Sequence, residues 1–214
     1  MIAIIDYGVG NLFSLRSSLA SIGAEAAVTG DAGVIRRADG IILPGVGALG
    51  DAAAKLRAGG LDRIVIEAAK SGKPLMGICL GMQLLFDEGE EYGSHKCLGL
   101  IPGRVVSMKP VIPENYKVPH IGWNRLIFPE DRPKHPIFKY ADEGDCVYFV
   151  HSYYAADCDQ SVIALTEYGA LLTAAAASGN VIGCQFHPEK SGSVGLSILK
   201  AFLELCDGRK EAGA

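Results

Sequence analysis

Apolar residues recur in two rhythms through the first eighty positions. Met1–Ile5, Gly40–Leu43 and Leu75–Ile78 are short unbroken apolar runs, the pattern of strands buried on both faces. Between the first two, Leu12, Leu15, Leu19 and Ile22 recur at helical spacing, and Gly23 closes that helix. Glu25–Val28 is a further short strand, followed by a weak helix through Val34 and Ile35. Ala48–Leu56 and Leu61–Lys70 read as helices parted by Gly59-Gly60. Strands alternating with helices predict a parallel sheet covered on both sides.

The rhythm changes after Lys96. Seven prolines fall between Lys96 and Tyr140, and helical spacing is lost. Arg104–Ser107, Asn124–Phe128 and Cys146–Val150 read as short strands. Val162–Thr166 and Leu171–Ala175 read as a hairpin turning at Tyr168-Gly169. Val181–Gln185 is a returning core strand. Ser193–Leu205 is a closing helix with Leu196, Leu199, Phe202 and Leu203 on one face. The tail Asp207–Ala214 is polar and small, a composition that frays. No repeat or linker divides the chain, so residues 1–206 are expected to form one domain.

Composition narrows the class. The 214 residues are 49% apolar and 21% charged, ordinary for a globular protein, and the net charge is −4. With pI about 5.7 there is no basic footprint for nucleic acid or an anionic membrane. Asp6 interrupts the first apolar run, which therefore reads as a strand and not a signal peptide. No apolar run reaches the length of a membrane span. The six cysteines are scattered, without a C-x-x-C pair or clustered histidines, which argues against a zinc site or a disulfide framework. Free thiols and no signal point to the cytosol.

The candidate chemistry centres on Pro74–Phe86. An apolar strand runs into a sharp turn and then a helix, with Cys79 at the turn, Gly77 two before it and Gly81 two after. This is the G-x-nucleophile-x-G elbow with Cys in the Ser position. A side chain held up at such a turn needs strained backbone and close neighbours, which glycines allow. N–H groups of a helix starting at Leu80 would favour thiolate and could hold an oxyanion. A free cysteine is also at home in a core, so a second segment must decide. Gln185–Ser191 contains His187 and Glu189, a base and its orienting group, two residues apart with Pro188 between.

Two glycine loops compete for attention. Gly45-Val46-Gly47-Ala48-Leu49-Gly50 matches G-x-G-x-x-G, but it follows the third strand and lacks the acidic residue a dinucleotide site needs at the end of the next strand. Gly8-Val9-Gly10 lacks its third glycine, with Phe13 in that place. Either Pro44–Gly47 is a plain turn, or an N–H of Val46 or Gly47 pairs with that of Leu80 as a two-donor oxyanion hole.

The segments Gly77–Gln83 and Phe186–Glu189 resemble the two signatures of class I, triad-type glutamine amidotransferases. The resemblance runs from residue 1 to about Leu205. Ile4–Leu12, Pro44–Gly47, Val118–Asn124, Tyr148–Tyr153 and His187–Ser191 are similar to the branch of that family whose glutaminase serves a separate (β/α)8-barrel cyclase. Ile121 departs from that pattern, where Met is common. The resemblance implies a flavodoxin-like α/β fold with added antiparallel strands in the second half. It also implies L-glutamine as substrate, no cofactor or metal, and a heterodimer with the cyclase. Cys79, His187 and Glu189 become the catalytic triad, and Gln83, Ser152 and Tyr153 contact glutamine. Asn11, Trp123, Asn124 and Lys190 face the partner. His151 is a rival base that lacks a neighbouring carboxylate. His95, His135 and Glu88–Glu91 read as surface loop. Remaining alternatives are a glutaminase for another synthase, a cysteine hydrolase on a similar fold, and a non-catalytic subunit.

Overall fold

In the computed structural model the backbone is described over residues 1–212 and side chains through residue 208. The first half alternates as the apolar runs require: β1 (Ile2–Ile5), α1 (Leu12–Ser21), β2 (Ala26–Thr29), α2 (Ala32–Arg37), β3 (Gly40–Leu43), α3 (Leu49–Ala58), α4 (Leu61–Lys70), β4 (Leu75–Ile78) and α5 (Leu80–Gln83). Asn11 and Asp31 cap α1 and α2 through their side-chain oxygens. The expected helix after Cys79 is one turn long. Its first carbonyl bond, from the Gln83 N–H to Cys79, leaves the Leu80, Gly81 and Met82 N–H groups at its open end.

The second half is strand-rich: β5 (Glu88–Gly89), β6 (His95–Lys96), β7 (Arg104–Ser107), β8 (His120–Arg125), β9 (Cys146–His151), β10 (Tyr153–Ala156), β11 (Val162–Glu167), β12 (Leu171–Ser178) and β13 (Val181–Cys184), closed by α6 (Gly192–Ala212). The third of these strands matches its expected bounds. β8 begins four residues earlier than the pattern suggested; β5 and β6, two residues each, are too short to read from it, and β10 is a strand the pattern did not mark. Helix α6 continues through Ala212, across much of the stretch assigned to a polar tail; residues 213–214 of that tail lie outside the described residues.

The main sheet has seven strands in the order β11-β12-β13-β4-β3-β1-β2. From β13 to β2 every pairing is parallel, and β11-β12-β13 is antiparallel. Strand order 2-1-3-4 followed by β13 is the flavodoxin-type winding, in which function gathers beyond the carboxyl ends of the strands. Residues of each parallel strand alternate between two cores. Ala3, Ile5, Ile41 and Leu43 pack with α2, α3 and α4, whereas Ile2, Ile4, Ile42 and Met76 pack with α1 and α6. The α6 face centres on Ile198, Leu199, Phe202 and Cys206, rotated from the expected stripe, and Leu203 is half-buried at its edge. Each large apolar side chain buried here contributes roughly 1.5–3 kcal/mol. That burial fixes the register on which the site rests.

Candidate active site

Four strand ends converge on one rim: β1 leads to Tyr7, β3 to Pro44–Gly47, β4 to Cys79, and β13 to Gln185–Glu189. Cys79 sits at φ 53°, ψ −112°, a strained conformation for a residue with Cβ. The flanking glycines are forced by contact. A Cβ on Gly81 would lie 1.8 Å from the Leu43 carbonyl oxygen, and one on Gly77 would lie 2.6 Å from the Gly81 oxygen. The Cys79 N–H donates to Cys184 O at 2.8 Å, so β13 clamps the elbow.

The same contacts bring the β3 loop beside the elbow. A Cβ on Gly45 would meet Tyr7 Oη at 2.7 Å and the Gly81 nitrogen at 2.9 Å. Tyr7 is buried, and its hydroxyl donates to Pro44 O at 2.8 Å, which anchors the loop. Burial, with Cys79 nearby, holds the Tyr7 hydroxyl well above its usual range, so it stays a donor. Gly47 adopts φ 95°, a position that favours glycine. The G-x-G-x-x-G match is not a phosphate cradle. The Leu49 N–H at the start of α3 is taken by Glu91 Oε2 at 2.6 Å, and Gly50 is packed against the His95 ring.

His187 lies beyond the end of β13, its N–H held by Tyr148 O at 2.9 Å. Its Nδ1 is 2.8 Å from Glu189 Oε1, and both side chains are buried. Ser191 Oγ donates to His187 O and accepts from the Tyr148 N–H, tying this turn to β9. Burial alone lowers the basicity of His187. Cys79 and Glu189 outweigh it and push the pKa up to about 9. Among the described residues none makes a well-aligned hydrogen bond to His187 Nε2. The Cys79 thiol also lies 3.8 Å from Val150 O, a donor contact.

The rival base is excluded by its bonding. His151 Nδ1 donates to Tyr153 O at 2.8 Å, which leaves Nε2 to accept from His120 Nδ1 at 3.1 Å. Burial drives its pKa down to about 4. Both nitrogens are occupied and the ring is neutral.

A cavity of about 300 Å³ opens over these groups. It is lined by Val46, Gly47, Cys79, Leu80, Gln83, Ser152, Tyr153 and His187, together with Glu91, Pro119, Val150 and His151. The expected oxyanion and substrate residues thus share one wall with Cys79 and His187. Gln83 is almost fully buried and already engaged, donating to Tyr153 O at 3.2 Å and to Gln185 Oε1 at 2.9 Å. Ser152 is half-buried on the same wall.

The remaining expected residues divide. Asn11 is the N-cap of α1 and borders a second, small cavity with Glu189. His120, Trp123 and Asn124 all lie on strand β8. Alternation turns His120 inward, stacked between Phe149 and Tyr168, and leaves Trp123 exposed. Trp123 meets Tyr148 edge-on, and Lys190 Nζ lies 5.8 Å over that same ring. Asn124 bonds Glu167 O.

Sequence reasoning gave no role to Tyr7, Glu91 or Gln185. Glu91 was read as solvated loop, yet it caps α3 and reaches the cavity wall. Gln185 directly follows β13, where the chain bends, so strand alternation does not fix where its side chain points.

The pattern of the family described as "Glutamine amidotransferase class-I" matches residues 3–205, and the chain belongs to that family. Curated relatives named imidazole glycerol phosphate synthase subunit HisH include one from Syntrophotalea carbinolica, 50% identical over 206 residues. That match covers 94% of this chain and 98% of the relative. The Geobacillus kaustophilus protein of the same name is 50% identical over 212 residues, covering 98% of this chain and 99% of its own. Among solved structures, PurLQS from Thermotoga maritima is similar at TM-score 0.74 and 22% identity, covering 95% of this chain and 97% of that one. A crystal structure of a glutamine amidotransferase is similar at TM-score 0.74 and 18% identity, covering 97% and 100%. At those identities the likeness is one of fold.

Proposed function

We infer that the chain is the glutaminase subunit of an imidazole glycerol phosphate synthase. It hydrolyses L-glutamine to glutamate and ammonia and passes the ammonia to a (β/α)8-barrel cyclase subunit in a heterodimer. The cyclase uses it to make imidazole glycerol phosphate and AICAR in histidine biosynthesis, in the cytoplasm. Near-full-length identity to relatives bearing that name supports the assignment. The observation that carries the chemistry is the cavity wall, where Cys79 stands at a strained elbow with His187 beside it and Glu189 behind.

Cys79 attacks the side-chain carboxamide carbon of glutamine as thiolate. Negative charge develops on the carboxamide oxygen. The Leu80 N–H and an N–H of Val46 or Gly47 receive it. The raised pKa of His187 keeps the imidazolium present at neutral pH, and its proton goes to the departing nitrogen. Collapse leaves a glutamyl thioester on Cys79 and releases ammonia. Neutral His187 then takes a proton from water, which attacks the thioester; glutamate leaves and the thiolate returns. Glu189 fixes the imidazole through Nδ1 and supports its positive charge.

Substrate groups find matching partners on the cavity wall. Glu91 is an acidic side chain there and suits an α-ammonium. Gln83 and the Ser152–Tyr153 backbone lie along the same cleft. Ammonium lacks a lone pair, so delivery requires a path closed to water between the subunits. The exposed side chains of Ile121 and Trp123, with Lys190 over Tyr148, give the partner a mixed apolar and cationic face next to the triad turn. Asn11 and Asn124 belong to the same proposed interface.

Glutamate release is measured with the chain alone, then with a barrel cyclase and its ribonucleotide ligand. Strong stimulation by the liganded partner is expected. Equal rates would remove the partner assignment. No glutamate in either condition, from folded protein, would overturn the function.

A further inference from the structure

One buried polar group beside the sulfur is used by none of these steps. Gln185 is fully buried, and its backbone N–H is fixed by Ala174 O at 2.8 Å. Its Nε2 lies 3.6 Å from Cys79 Sγ, within donor range for sulfur. We propose that Gln185 is a positioning residue that holds Cys79 Sγ at the cavity wall and donates a hydrogen bond to it in the thiolate form. This extends the glutaminase function proposed above and rests on it.

The direction of that bond follows from a chain of forced choices. Tyr153 O is a backbone carbonyl and can only accept. It receives His151 Nδ1–H at 2.8 Å and Gln83 Nε2–H at 3.2 Å. Gln83 must therefore turn its NH2 toward Tyr153, and the same NH2 reaches Gln185 Oε1 at 2.9 Å. Gln185 then has its oxygen satisfied and only its NH2 left for the sulfur. Flipping Gln83 would set its oxygen against those of Tyr153 and Gln185, and flipping Gln185 would set two NH2 groups against each other, both in a buried site. The polarity set at the Tyr153 carbonyl is thus transmitted through two amides to Cys79. Since α5 is a single turn, a fixed side-chain donor complements its weak dipole.

The charged and titratable groups around Sγ are His187, with Glu189 behind it, Tyr7 from the β1 loop and Cys184 from β13. The neutral amide adds a donor without adding charge.

The test uses the full-length chain and two variants, Gln185→Met and Gln185→Glu. Met removes both contacts at similar volume; Glu keeps an acceptor for Gln83 but loses the donor to sulfur. Iodoacetamide alkylation of Cys79 at pH 7, kcat, KM and the thermal midpoint are measured. The expected result is alkylation and kcat lowered about tenfold or more in both variants, the effect of losing one charge-assisted hydrogen bond. KM for Gln185→Glu is expected to stay within about twofold, since a uniform binding contact has not been lost. A folded variant of either kind with wild-type alkylation and kcat would overturn the proposal. If only Gln185→Glu folds, its alkylation rate decides alone. Wild-type protein that alkylates normally but releases no glutamate, even with its partner, would instead sink the glutaminase function and leave the sulfur contact to be judged by alkylation.

Discussion

His187 Nδ1 stands 2.8 Å from Glu189 Oε1, with only Pro188 between the two residues in the chain. The pair is 3% and 4% exposed, so the contact works in a site shielded from water. Among the described residues Glu189 Oε2 has no hydrogen-bond partner, which leaves this carboxylate committed to the imidazole. Glu189→Gln keeps the shape but can present an N–H to Nδ1 and select the wrong tautomer. Steady-state glutaminase assays are expected to show kcat lowered by about 10²–10⁴-fold, the scale seen when an orienting carboxylate of a triad is replaced by its amide.

The same pair sets a pH limit. The His187 pKa is about 9 in the folded chain against an ordinary 6.5, raised by Cys79 and Glu189 in spite of burial. A raised value means that the stability contributed by the imidazolium is complete below about 6.5 and is lost as pH climbs through about 9. The proton needed by the leaving nitrogen disappears over the same range. A pH–rate profile is expected to fall on its alkaline side near pH 9, and Glu189→Gln should move that limb to lower pH. An unmoved limb would mean that His187 is not the acid.

Cys79→Ala is expected to abolish glutamate release while the liganded complex still makes product from added ammonium salts. Loss of both activities would count against a subunit that only supplies ammonia. Stability separates strain from chemistry here. At φ 53° a glycine is unstrained, so Cys79→Gly should be more stable than Cys79→Ala by about 1–3 kcal/mol in urea denaturation.

Gly81→Ala addresses the elbow itself. The added methyl would overlap the Leu43 carbonyl oxygen at 1.8 Å, so either β3 or the turn must move. A loss of about 4 kcal/mol or more is expected by denaturant titration, the scale reserved for severe steric faults. A near-neutral result would show that the elbow yields easily.

Trp123→Ala tests the proposed partner face. The indole is 54% exposed, so the isolated chain should change by no more than about 0.5 kcal/mol. Stimulation by the liganded cyclase is expected to weaken, as measured by titrating the partner against glutamate release. Full stimulation at unchanged partner concentration would place the interface elsewhere.

Periodicity alone gave the parallel half of the fold and placed the elbow, because β1, β3 and β4 are unbroken apolar runs whose neighbours are amphipathic. Short local signatures, not periodicity, singled out Cys79, His187 and Glu189 as candidates, because such signatures need no knowledge of packing. The sequence could not tell that the helix after Cys79 stops after one turn, or that β8 would begin at His120. Those outcomes depend on partners: β8 forms by pairing with β9, whose register puts His120 opposite His151. Nor could it give Tyr7, Glu91 or Gln185 their places. Each is an ordinary polar side chain until distant segments meet, Tyr7 with Pro44, Glu91 with the α3 terminus, Gln185 with Gln83 and Cys79. A local pattern records which side chains a strand turns inward. Which buried donor meets which acceptor is decided only when the sheet closes and leaves those groups no water to bond instead.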